Sequence, residues 1–377
     1  MRMNHRAFLI WIASMSIVLS GCWDQRLLKD HSLVLALGYD REEGERVLNT
    51  VAFPITKPGT EQMGLSSESK VISSHGETVR DAEVHMDKII PEKFDMSKTK
   101  VILFGEELAS QGIFPVLDST YRDLRGPLNA HLAIIGGRAR DALTVKEDGS
   151  ILISEFFSEL LQSAGKGGIT KNENVQDICP VILSEGKDIV LPYIGVSNEK
   201  EEAVKVEGLA LFNDDKFTGR LGLQETGMLL ILLNERAKAL SLNLKVKDHK
   251  ENHDKKFVNV VVRKIHRKIK IEADHHKIKT VIDVKLKLGI DEYAANKLSN
   301  EKEVKALSKK VEKVLNGLAK ETIQKMQNAN NDALGIGERV KAHHNSSWKK
   351  RDWKKVYPEL PIHTKFDVEI IHHGIIN

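Results

Sequence analysis

IHRKIKIEADHHKIKTVIDVKLKL, residues 265–288, followed at 300–326 by NEKEVKALSKKVEKVLNGLAKETIQKM, decides how the second half of this chain folds. In the first segment Ile265, Ile269 and Ile271 alternate with His266, Lys268 and Lys270, and Ile282, Val284, Leu286 and Leu288 alternate with Asp283, Lys285 and Lys287. Successive side chains of a strand point to opposite faces, so each run is a strand with one buried and one mainly basic face. The second segment changes period. Val304, Leu307, Val311, Val314, Leu318 and Met326 form one stripe opposite Lys and Glu, and Asn300 with Glu303 is a helix-start signature. The spacing predicts a long helix, fraying near 328–331, laid across an antiparallel sheet, with a last strand in KFDVEIIHHGII, residues 365–376.

Upstream, GLALFNDDKFTGRL (208–221) reads as a hairpin turning at Asn213-Asp214-Asp215, and 228–233 as a buried helix too short to span a bilayer. The first part alternates between periods. HSLVLALGYD (31–40) is a buried strand with a turn at Gly38, 40–46 a charged turn and 47–53 a returning strand. A long loop follows, marked by Pro54, Pro58, Gly59 and Gly64. Helices are expected over 78–90, stopped by Pro91, and over 115–124, with strands at 100–104 and 130–135. From about 140 the texture changes to a helix over 151–161 and a glycine-rich loop over 165–174. Strands at 178–183 and 189–196 flank a Ser184-Glu185-Gly186-Lys187 turn. The charged run 198–202 is the best linker. The organisation is mixed α+β, an α/β mixture, with units at 22–140, 141–202 and 203–377 behind an N-terminal leader, 1–21.

That leader is the sharpest signal. Arg2 and Arg6 precede an uncharged run, 7–20, which as a helix is roughly 21 Å long against a hydrocarbon core of about 30 Å. It fits the apolar region of a secretory signal peptide better than a permanent anchor. Leu19-Ser20-Gly21-Cys22 then resembles the bacterial lipobox, with Cys22 as lipid attachment site and first mature residue. Two acyl chains on its sulfur, at about 0.8 kcal/mol per buried CH₂, hold a protein on a membrane where one does so only marginally. The other cysteine, Cys179, in an apolar stretch, is expected to be a small buried hydrophobe without a disulfide.

Composition excludes several classes. The 377 residues carry 57 Lys+Arg against 53 Asp+Glu, a net +4, so no nucleic-acid partner is expected. Two cysteines support neither a four-cysteine zinc site nor an iron–sulfur cluster. Gly335-Ile336-Gly337 lacks the third glycine and preceding strand of a dinucleotide fingerprint, and no Walker loop or Gly-x-Ser-x-Gly elbow occurs. The histidine pairs 275–276, 343–344 and 372–373 are adjacent rather than i, i+4, so no metal site is expected. No catalytic residue and no cofactor is named. Basic residues outnumber acidic ones from Lys245 to Lys287, either as a surface for anionic headgroups or an acidic partner, or as the solvated face of an amphipathic sheet. Trp348 and Trp353, set among lysines, are either a docking patch or packed over the sheet.

Specific residues match a known family. Gly21-Cys22-Trp23-Asp24, Leu37-Gly38-Tyr39-Asp40, Arg122-Asp123-Leu124-Arg125, Gly208-Leu209-Ala210-Leu211-Phe212, Lys216, Gly219, Glu225, Gln324, Asp332, Gly335-Ile336-Gly337, Trp348, Trp353 and Pro358 occur in order across the mature chain. In these the chain resembles the Ger(x)C family, the lipoprotein C subunits of nutrient germinant receptors in spores. It departs from the family at Arg26-Leu27-Leu28, where an acidic–aliphatic pair is usual. The resemblance implies three small mixed domains, a diacylglyceryl anchor at Cys22 and a place on the outer face of the spore inner membrane. It also implies assembly with two integral-membrane subunits and no known catalytic activity. The rival readings are an extracytoplasmic lipid-anchored ligand-binding protein of a transporter-like system, and a cell-envelope hydrolase.

Overall fold

A computed structural model describes residues 31–57, 66–145, 151–197, 204–235, 239–246, 253–273, 277–295 and 298–372. Cys22 with its apolar run, and the 198–202 linker, lie outside the described residues. A small parallel pair, β1 (His31–Leu33) and β5 (Lys93–Asp95), flanks one large sheet. That sheet holds β2 (Ala36–Arg41), β3 (Val47–Lys57), β4 (Ser66–Gly76), β6 (Val101–Gly105), β7 (His131–Gly136), β8 (Val190–Val196), β9 (Val204–Asn213) and β10 (Lys216–Leu221). Its order is β10-β9-β8-β7-β6-β2-β3-β4, parallel from β8 to β2 and antiparallel at both margins.

Both faces of the parallel part are covered, which is why those strands read as unbroken apolar runs. Helices α1 (Val79–Met86), α2 (Glu106–Gln111), α3 (Phe114–Arg122) and α6 (Val175–Ile182) bring Met86, Leu108, Leu117 and Ile178 onto Leu37, Ile102 and Phe104. On the other face α4 (Ala139–Leu143) and α5 (Ile153–Gly167) pack Leu143, Phe157 and Leu161 against Ala36, Leu103 and Ile135. Each fully buried Leu, Ile or Phe contributes roughly 1.5–3 kcal/mol.

Four local expectations are corrected. Of the strand expected over 178–183, residues 178–182 are helical and Leu183 caps the helix, because Asn174 and Asp177 form a reciprocal capping box and Val175, Ile178 and Cys179 share a buried face. A short apolar run does not declare its period. Gly38 sits inside β2 rather than at a turn, where a Cβ would come within 2.9 Å of Leu143. Pro54 continues β3, opposite Ser69 of β4, a strand the sequence did not announce. Helix α5 runs through Gly165 to Gly167 and ends where Gly168 takes a left-handed φ of 70°.

The second sheet is β11 (Ser241–Lys245), β12 (Phe257–Ala273), β13 (Ile278–Glu292) and β14 (Ile362–His372), in that order. The expected pairing of the two basic strands is present, with His266 opposite Lys285. The sheet is not wholly antiparallel. β14 runs parallel to β13, because the chain returns through helix α8 (Glu301–Asn328), and a crossover of that length brings a strand back in the same direction. Asn300 caps α8 by accepting the Glu303 amide, while the Glu303 carboxylate takes the Ser299 amide. Its buried stripe drifts toward Leu315, Ala319 and Ile323, leaving Val314 and Leu318 half-exposed. The helix also closes the outer edge of β14, where the Val368 amide donates to Glu312 at 3.1 Å.

Strand β9 joins the halves. Ala210 and Phe212 belong to the core of the large sheet, whereas Leu209 and Leu211 enter a second core with helix α7 (Leu223–Leu233), α8 and β11 to β14. The large sheet thus draws on residues read as three successive units, with β8 from the second and β9–β10 from the third.

Candidate functional site

The loops at the β8 and β9 ends meet the segment that leaves α8, and the seam between them is built from polar residues. Asn331 is fully buried, and its Nδ2 donates to the carbonyls of Ile189 at 2.9 Å and Phe212 at 2.6 Å. Asp332 is also buried, and its carboxyl accepts from the amides of Ile336 at 3.0 Å and Gly337 at 2.7 Å and from the Trp353 indole at 3.1 Å. Its own amide donates to Asp188 at 2.7 Å, and Asp188 takes the Asp214 amide at 2.9 Å as well. Two carboxyl groups from distant parts of the chain therefore organise two loops of one lobe and one segment of the other. Burial pushes Asp332 up to about 8, against the pull of the Gly337 and Ile336 amides, and raises Asp188 for the same reason.

Close backbone approach completes the seam. The Glu338 amide donates to the Gly186 carbonyl at 2.7 Å. A Cβ on Gly186, whose φ is +85°, would lie 2.6 Å from the Glu338 nitrogen and 3.0 Å from the Trp348 ring. One on Gly337 would lie 2.5 Å from the Trp353 indole nitrogen. Helix α9 (Ile336–His343) can start here only because both positions are glycine. The Trp348 and Trp353 rings stand 5.5 Å apart, Trp353 is 6.2 Å from Tyr357, and together they wall a cavity of about 370 Å³ that opens between the two lobes.

Several residues singled out in the sequence converge here: Asp332, Gly335-Ile336-Gly337, Trp348 and Trp353, with the Ser184–Lys187 turn facing them. The tryptophans are half-buried and pack on the second core, with their rings against each other. Asp188 and Asn331 went unmarked by sequence. The only signal was a polar Asn330-Asn331-Asp332 run just after a long helix, which reads as fraying.

Other expected features lie apart from the seam. Cys22 falls outside the described residues. Cys179 is a free, buried thiol on α6, raised to about 11 by burial. Of the histidine pairs, 275, 276 and 373 are not described, and His343 and His372 are exposed. Among the described residues no group of three or more His, Cys, Asp or Glu is placed to hold a metal. The basic sheet face is laced with ion pairs, Lys270–Asp283 at 2.6 Å, Lys285–Asp367 at 3.6 Å and Lys287–Glu369 at 2.8 Å. Arg122 is held by Asp118 at 2.9 Å, while Leu124 beside it is fully exposed. No described helix is long and apolar enough to cross a membrane.

Comparison with known proteins bears on the chain as a whole. Residues 24–196 match the family described as "Spore germination protein N-terminal domain", and residues 207–374 that described as "Spore germination B3/ GerAC like, C-terminal". The chain is 22% identical to "Spore germination protein GerQC" of Bacillus cereus, over 96% of this chain and 97% of that one. It is 25% identical to "Spore germination protein KC" of Bacillus subtilis (strain 168), over 96% and 94%. The solved crystal structure of the GerBC protein superposes with a TM-score of 0.54 at 19% identity, covering 89% of this chain and 97% of that one, a likeness of fold.

Proposed function

Because the chain belongs to the Ger(x)C family of spore germination proteins, we propose that it is a membrane-tethered, non-catalytic subunit of a nutrient germinant receptor. The observation that carries this reading is the pair of family matches in tandem, which leaves little of the chain after Asp24 unaccounted for. Diacylglyceryl-Cys22 holds the folded part on the extracytoplasmic face of the spore inner membrane, and integral-membrane receptor subunits are its partners.

The test follows the anchor and the complex separately. Cells fed a labelled fatty acid should label the wild-type chain and leave Cys22→Ala as an unlabelled precursor. The wild-type chain, extracted in mild detergent from spores, should bring down integral-membrane subunits. Label on Cys22→Ala would overturn the anchor, and a labelled chain that purifies alone would overturn the assembly.

A further inference from the structure

The seam cavity is lined by five acidic and four basic side chains, which differ in how far they are partnered. Its carboxylates are already answered: Asp188 and Asp332 by N–H donors, Glu185 by Lys341 at 2.9 Å, Asp214 by Lys354, and Asp352 by Lys355 at 3.3 Å. Lys187 and Lys349 line the same cavity and make no ion pair with a described residue. Lys187 is half-buried, with its alkyl stem alongside Gly335. The aromatic part of the cavity wall is held by contacts on both tryptophans. Trp353 is pinned by its bond to Asp332, and Trp348 lies over the glycine contact. Beneath them the Tyr357 hydroxyl is buried without a hydrogen-bond partner. A volume of about 370 Å³ at a junction between lobes, with three aromatic side chains set among mostly polar and charged ones, has the size and the placement of a small-molecule site.

We propose that the seam cavity binds a small planar organic anion, its ring against Trp348 and Trp353 and its negative group held by Lys187 and Lys349. The inference does not depend on the membrane anchor or on receptor assembly. Because both lobes contribute walls, occupancy reinforces the contact between Gly186 of one and Gly337 of the other.

Calorimetric titration of the full chain tests this with three probes: 2-naphthoate, its neutral counterpart 2-naphthamide, and cyclohexanecarboxylate, an anion without a flat ring. The expected result is saturable one-site binding of 2-naphthoate, at least tenfold weaker for each of the other two. Lys187→Gln and Lys349→Gln lie at the cavity wall outside the cores and should each weaken 2-naphthoate several-fold without changing the melting temperature. Trp348→Phe should do the same while keeping the fold. Absence of saturable 2-naphthoate binding overturns the proposal, as does equal binding of 2-naphthamide or undiminished binding by the Lys187→Gln, Lys349→Gln double variant.

Discussion

Asp332 in the seam and Asp283 on the outer face of the second sheet are the same residue type, each beside groups that favour its anion, and they are displaced in opposite directions. Asp283 is surrounded by lysines in water, its hydrogen bond from Lys270 and the charges of Lys365 and Lys268 favour the anion, and its pKa falls. Asp332 accepts three hydrogen bonds where Asp283 has the one from Lys270, yet loss of water dominates and its pKa rises to about 8. Environment, not partner count, sets what a carboxyl group contributes. On the sheet face the ion pairs keep a basic surface solvated and discourage edge pairing, at little energetic consequence. In the seam each polar group has nowhere else to find a partner, so its loss is felt in full.

The contrast can be broken most forcefully at Asp332. Asp332→Ala strands the Ile336 and Gly337 amides and the Trp353 indole, and should lower unfolding free energy by about 3–5 kcal/mol in a denaturant titration. A loss under about 1 kcal/mol would mean that the seam is as forgiving as the sheet face. The pH dependence sharpens the same point. With its folded pKa raised from 3.8 to about 8, Asp332 contributes its full stability below about pH 4 and loses it as pH rises toward 8. Asp332→Asn should therefore flatten the decline in stability across that window, while Asp283 acts with the opposite sign and only at acid pH.

Asn331→Ala comes next. It leaves the carbonyls of Ile189 and Phe212 without a buried donor and should cost about 2 kcal/mol by the same titration. At the other extreme Lys285→Ala removes a pair whose partners are both mostly exposed, and should change stability by under about 0.5 kcal/mol. If chemical denaturation ranked Lys285→Ala with Asn331→Ala, the distinction between the two regions would collapse.

How much of this was legible depended on how far each signal reached along the chain. The alternation in β12 and β13 and the stripe in α8 are local and long, so they announced a helix on a sheet and its faces directly. Residues 178–183 gave too short an apolar run to fix a period, and the deciding capping box at Asn174 lay just upstream. β4 has the composition of a loop, rich in serine, and is a strand only because β3 offers it an edge. The parallel direction of β14 depended on the return path of everything between it and β13.

The seam shows the same boundary most clearly. Sequence alone determined the leader-and-cysteine signal expected at Cys22, the mixed α+β class, the amphipathic C-terminal elements and the family to which the chain belongs. It also placed Asp332, the two glycines and the two tryptophans among residues worth noticing. Only the tertiary structure decided that they form one site, because Asp188 and Asn331 lie far apart in the chain and meet only once two lobes pack and exclude water. Hydrogen bonds between residues that distant, and the loss of solvent that gives them weight, leave no periodic trace in a sequence. They exist only when the fold is complete.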